Sequence, residues 1–272
     1  MIRGATLIAI FVFVTSACAP SSSVSFDEFF PKRIDVFGVS IRGTATTPDS
    51  KMLHAANVMA EYLDNDVDGQ VDNRSVVDEM RSRNATLVMT IDRDELDEFS
   101  FAWLPDGEFQ DLNAAETKPG GAEDGEFDAT LEEVLHLITH VGLANAYPDV
   151  FGESPGTALG DAMDLARGGR FMEIPSPYPD DAWYSYDDQT CDYNCMSAEY
   201  IYWAITSVLG AQDFPGRLEE IEHEWRLNTA QKVAERDTAV YALITDPAYR
   251  LPTRLPEGNY RGGEITFLPD LN

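Results

Sequence analysis

Two short stretches of the chain hold side chains whose types and spacing can do chemistry. In Asp64-Asn65-Asp66-Val67-Asp68-Gly69-Gln70-Val71-Asp72, carboxylates stand at positions 1, 3, 5 and 9, with glycine at position 6. A hard cation such as Ca²⁺ takes about six to eight oxygens at roughly 2.3–2.6 Å, and alternate carboxylates wrapped round a glycine turn supply them. Asp64, Asp66, Asp68 and Asp72 are the candidate side-chain ligands, and Gln70 would add its backbone carbonyl. The plainer reading is a solvated acidic turn, against which stands the repulsion of four aspartates crowded into nine residues without a counterion. The second stretch is Glu132-Glu133-Val134-Leu135-His136-Leu137-Ile138-Thr139-His140. On a helix, His136 and His140 project one turn apart from one face, a spacing by which a helix chelates Zn²⁺.

A zinc site needs more than two imidazoles. Glu132 and Glu133 precede His136 by four and three residues, so either carboxylate can lie beside the same metal, as a base for its bound water. Glu199 sits in the otherwise apolar run Ser197-Ala198-Glu199-Tyr200-Ile201-Tyr202-Trp203. Burying that carboxylate is expensive unless it is paired or metal-bound, which makes it the candidate third ligand. His54, on an apolar segment close to the acidic loop, is another. Buried histidines hydrogen-bonded to the same three glutamates would give the same sequence.

Residues 64–72 resemble the first nine positions of an EF-hand loop. The likeness implies bound calcium; it departs at position 12, where the family has a bidentate Glu and this chain has Ser75, and Glu79 is the nearest substitute. Residues 132–142 resemble the HExxH metallopeptidases, the zincins, in the two histidines and in Gly142. Glu199 stands where the gluzincin branch draws its third ligand from a later helix. The residue after the first histidine, the general base in that family, is Leu137 here. The resemblance therefore implies a metal-dependent hydrolase acting on protein or peptide, with Glu133 or Glu132 in the role of base. The alternative is a non-catalytic, calcium-stabilised binding or structural protein.

The elements that must position these groups are read from periodicity. Residues 34–41 alternate as a strand, and 86–91 form the strongest strand pattern in the chain. Asp49 or Ser50 opens a helix that ends at Asp64, and a short helix runs over 76–81. Residues 105–128, turn-rich around Pro119-Gly120-Gly121, read as a surface excursion. Helices are expected over 129–143, ended by Gly142, over 154–166 and over 197–209. A long exposed helix is expected over 217–242, and 168–190 reads as an ordered loop. Tyr184, Tyr186, Tyr193, Tyr200, Tyr202, Trp183 and Trp203 gather there, as a substrate groove or as core. The fold class is α+β: one helix-dominated domain over 31–272 with a few strands, zincin-like if the resemblance holds.

Composition sets the surroundings. The 272 residues carry 48 Asp+Glu against 19 Lys+Arg, a formal net charge of −29, which disfavours nucleic acid and favours divalent cations. The start has the basic, apolar and small-residue order of an export signal over 1–17, with an apolar run too short to cross a bilayer. Ending in Ala17-Cys18, it resembles a bacterial lipoprotein signal, although Thr15 is unusual there. That likeness implies lipidation at Cys18, a tether over 18–30, and attachment to a bacterial membrane or cell surface; simple secretion is the alternative. With Cys18 so used, Cys191 and Cys195 remain, as a disulfide or as free thiols or metal ligands. No phosphate-cradling glycine loop is present.

Overall fold

The computed structural model describes residues 24–100, 102 and 104–269. The expected export signal over 1–17, Cys18 and the expected tether as far as residue 23 lie outside them. After a one-turn helix α1 (Phe26–Phe29), closed by a capping box between Ser25 and Glu28, come β1 (Lys32–Val36) and β2 (Val39–Gly43). The single strand expected over 34–41 is thus a hairpin. Phe37 and Gly38 both take positive φ, 52° and 83°, the geometry of a two-residue turn whose twist matches the strands, and Asp35 Oδ1 accepts the Gly38 N–H at 2.9 Å. Phe37 in a position that favours Asn or Gly is why the turn does not show in the pattern.

Helices α2 (Asp49–Leu63) and α3 (Arg74–Ser82) flank the acidic loop, α3 being capped by Asn73 Oδ1 on the Val76 N–H. Then follow β3 (Thr86–Thr90), α4 (Arg93–Asp97) and β4 (Phe109–Asn113). The sheet order is β1-β2-β3-β4, antiparallel in the first pair and parallel in the other two. Strand β4 falls inside the stretch expected to be a surface excursion. Its polar Phe-Gln-Asp-Leu-Asn sequence hides it, and it is held by pairing with β3.

Helix α5 (Thr130–His136) passes directly into a π-helical turn, Leu137–Leu143, and on into α6 (Ala144–Ala146). The expected uniform α-helix ending at Gly142 is therefore interrupted. Gly142 lies inside the π-turn, where its missing side chain admits α3: a Cβ there would meet Val76 Cγ1 at 2.6 Å. Short α7 (Pro148–Phe151) and Thr157-capped α8 (Ala158–Ala166) lead to α9 (Tyr193–Leu209), capped by Asp192 and stopped by left-handed Gly210. The expected long helix is three pieces, α10 (Arg217–Ile221), α11 (Ala230–Arg236) and α12 (Thr238–Ile244). The break at 222–229 sinks Trp225 fully, with its Nε1 donating to Ser207 Oγ at 2.9 Å. Asp237 then caps α12 and accepts from Trp183 and Tyr200, both at 2.7 Å.

These elements form one α+β domain around one main core that joins α2, α3, α5, α8 and α9 to the sheet. A smaller aromatic cluster of Phe30, Val88 and Phe99 lies beside α1. Tyr184, Tyr200 and Tyr202 are fully buried, so the tyrosine cluster is chiefly core. Cys191 and Cys195 are disulfide-bonded at the start of α9. Residues 251–269 have no regular helix or strand and run back across α2 to β1, where Leu268 N–H donates to Arg33 O at 2.8 Å. Among the described residues no helix is long and apolar enough to cross a membrane.

Candidate metal centres

The acidic loop begins where α2 ends. Val67 and Gly69 take positive φ, 62° and 87°, and this curl turns the carboxylates inward. Asp64, Asp66 and Asp72 each bring an oxygen within 4.8 Å of the others. Asp64 is fully buried and accepts the N–H of Asp68 at 3.1 Å and of Gly69 at 2.8 Å. Asp68 is not in that group: its carboxylate accepts the N–H of Gln70 at 2.8 Å. Glu79 is not in it either and pairs with Arg83 at 3.2 Å. Burial, with the negative charges of Asp66, Asp64 and Asp68, raises the Asp72 carboxyl against the lowering effect of the Asn65 N–H. A divalent cation among these oxygens would relieve that repulsion.

The loop also has partners far along the chain that no local pattern reveals. Tyr260 Oη donates to Asp64 Oδ2, and Asn65 Oδ1 accepts the N–H groups of Thr253 and Arg254, both at 2.9 Å. Gly69 must be glycine for a second reason, since a Cβ would approach Gly262 O to 2.8 Å. One turn earlier, the Glu61 carboxylate accepts three successive N–H groups, from Glu257, Gly258 and Asn259, at 2.7, 2.8 and 2.9 Å.

The histidine centre is built by α5 and α9. Glu132 and His136 stand one turn apart on α5, and Glu199 faces them from the second turn of α9. One donor atom of each lies within 4.8 Å of the others. His136 Nε2 is 3.6 Å from Glu199 Oε2 and 3.8 Å from Glu132 Oε1. These distances are too long for hydrogen bonds, and Nε2, in a residue only 4% exposed, has no hydrogen-bond partner. Donors bound at roughly 2.0–2.2 Å to one tetrahedral ion sit roughly 3.4 Å apart, so the observed separations fit a cation between them. Burial alone would lower the imidazole pKa. The carboxylates of Glu199 and Glu132 outweigh it and hold His136 well above the ordinary value.

Glu133 is buried beside this group but is not in it; its Oε2 accepts from Gln110 Nε2 at 2.6 Å, across from β4. Burial, and the charge of Glu132, push its carboxyl far up. Glu224 is raised to about 8, chiefly by burial and then by Glu199, Asp187 and Glu132. Carboxylates are thus packed here beyond what one imidazole neutralises.

His140 is not a member of the group. The π-turn that follows His136 spoils the α-helical register on which the shared face depended. His140 Nδ1 instead lies 2.5 Å from Glu153 Oε2, at the wall of a cleft of about 330 Å³ that Arg83, Glu108 and Asn194 also line. His54 is likewise engaged elsewhere, with Nε2 2.6 Å from Asp128 Oδ2. Sequence reasoning set His136, Glu199 and Glu132 or Glu133 about one point, of which the structure groups His136, Glu199 and Glu132, and it missed Gln110, Glu153, Glu61 and Tyr260. No local spacing carries a signal for these four, since each acts on a residue distant in the sequence or on another element. Searches against protein family models, curated proteins and solved structures find no match to this chain.

Proposed function

We propose that this chain is an exported calcium-binding lipoprotein with a second, buried centre for a divalent transition metal, and that it acts as a metal-dependent hydrolase on protein or peptide. The observation that carries the reading is His136 Nε2, buried and without a hydrogen-bond partner, facing the oxygens of Glu132 and Glu199. A neutral core histidine would satisfy that nitrogen. Three protein ligands leave a coordination position for water, and an ion there lowers the pKa of that water towards about 7. The loop at Asp64, Asp66 and Asp72 is the calcium site, and the Cys191–Cys195 disulfide agrees with export to an oxidising compartment.

A second reading, a calcium-stabilised structural protein without catalysis, is favoured by the burial of the centre: Glu132, His136 and Glu199 are 9%, 4% and 5% exposed. Elemental analysis of the purified chain, with His136→Ala and His140→Ala prepared separately, tests the proposal. One transition metal per chain is expected, lost in His136→Ala and kept in His140→Ala, with hydrolysis of a peptide mixture lost in parallel. Metal retained in His136→Ala would overturn the centre. Metal lost without any peptide hydrolysis in the parent would leave the structural reading.

A further inference from the structure

The donor set is richer in oxygen than a two-histidine zinc site. Among the described residues, the group that comes together has one nitrogen, His136 Nε2, and two carboxylates, Glu132 and Glu199, with no sulfur. A third carboxylate, Glu133, is buried next to it on the same turn of α5 and is held by one neutral hydrogen bond, from Gln110 Nε2. Imidazole suits zinc, iron and nickel alike, whereas carboxylates suit harder ions such as manganese, and selection among first-row metals rests on ligand type and geometry. Carboxylates also bind through one or both oxygens. Three of them with one imidazole therefore offer more than the four donors at which a closed zinc site stops.

We infer that the centre holds an oxygen-preferring divalent ion of the manganese or ferrous class, five- or six-coordinate, and that Glu133 leaves Gln110 to become its fourth protein ligand. This rests on the metal reading given above and deepens it by naming the ion's class and one further ligand. Gln110 is then a positioning residue, which keeps the Glu133 carboxylate aimed along α5 while no ion draws it in.

The full chain, stripped of metal and kept in excess Ca²⁺ so that the loop at Asp64 is unaffected, is titrated with Mn²⁺ and Co²⁺. Electron paramagnetic resonance reads manganese binding, and the visible spectrum of cobalt reads coordination number. Expected are one bound Mn²⁺ per chain and a weak cobalt spectrum of five- or six-coordinate type. Glu133→Gln should weaken Mn²⁺ binding by about tenfold or more, the scale on which supporting groups act at metal centres. Gln110→Ala should retain binding. An intense tetrahedral cobalt spectrum, unchanged in Glu133→Gln, would overturn the inference while leaving the metal centre standing. No binding of either ion, in a chain whose near-ultraviolet circular dichroism is native, would overturn the metal centre itself.

Discussion

A carboxylate and an imidazole in contact do different things at different addresses in this chain. His54 meets Asp128 at 2.6 Å, and Asp128 Oδ1 also accepts the N–H groups of Lys118 and Thr130, at 2.8 and 3.1 Å. Burial works to raise that carboxyl; the hydrogen bonds, the one from His54 foremost, overcome it and leave the pKa lowered. A carboxyl depressed on folding contributes stability above its unfolded pKa, near 3.9 for Asp, and loses it as pH falls through the folded value. Denaturant midpoints measured from pH 6 down to pH 2 should therefore fall, and Asp128→Asn should flatten the acid limb. An unaltered acid limb in that variant would remove Asp128 as its cause. At His136 the same pairing lacks hydrogen-bond contact, and this is the feature on which the proposed metal centre rests. The sequence made both histidines visible as candidates, His54 by its apolar segment close to the acidic loop and His136 by the acids at helical spacing before it. It could not separate them, since the partners that decide, Asp128, Glu199 and Glu153, come from other elements.

Periodicity was a good guide wherever the backbone kept one period. It found α2, α3, β3 and the core of α9, and failed where tertiary contacts set the conformation. The π-turn over Leu137–Leu143 is the instructive case, because Leu137, Ile138, Thr139 and Val141 do not announce a change of pitch. What fixes it is α3 seated against Gly142. Helix propensity alone predicts that Gly142→Ala stabilises by up to about 1 kcal/mol. The packing predicts the reverse, since the added Cβ would meet Val76 Cγ1 at 2.6 Å, Met80 Cγ at 3.0 Å and Val76 O at 3.1 Å. Overpacking of this kind costs about 1–3 kcal/mol, so a net loss in urea denaturation is expected. A gain would mean that α3 yields and does not constrain the turn. Strand β4 was hidden for a related reason. Its Gln110 is polar because it donates to Glu133 of α5, and Asp111, on the opposite face, pairs with Arg93 at 3.7 Å, so contacts with other elements hid the pattern by which a strand is read.

At the scale of the molecule, a chain of net charge −29 folds with its acids concentrated at two inward-facing centres as well as spread over the surface. A cation bound only by the folded chain stabilises it by about 2.7 kcal/mol when present at about 100 times its Kd. For a domain of this size that is about 5–10 °C in Tm. Calcium titration followed by differential scanning calorimetry should show such a rise, with Asp64→Asn abolishing most of it. A rise of equal size with sodium at matched ionic strength would assign the effect to screening of the net charge. Nothing local in the sequence reveals that the loop is roofed by residues nearly two hundred positions away, because Tyr260 and Arg254 sit in a stretch without periodicity.

That roofing segment gives the molecule a mechanical order. Phe267 bridges to Ile34, and Leu268 bonds to Arg33, so the chain is fastened to itself at β1. Tension between the two ends is borne first by those few contacts. After them the segment would unzip inward from residue 269, passing Gly262 and Tyr260, then Glu61, then Asn65, until the edge-to-face rings of Tyr249, Tyr147 and Phe151 stop it. The acidic loop would thus be uncovered under load while α5 and α9, and the centre between them, stay intact.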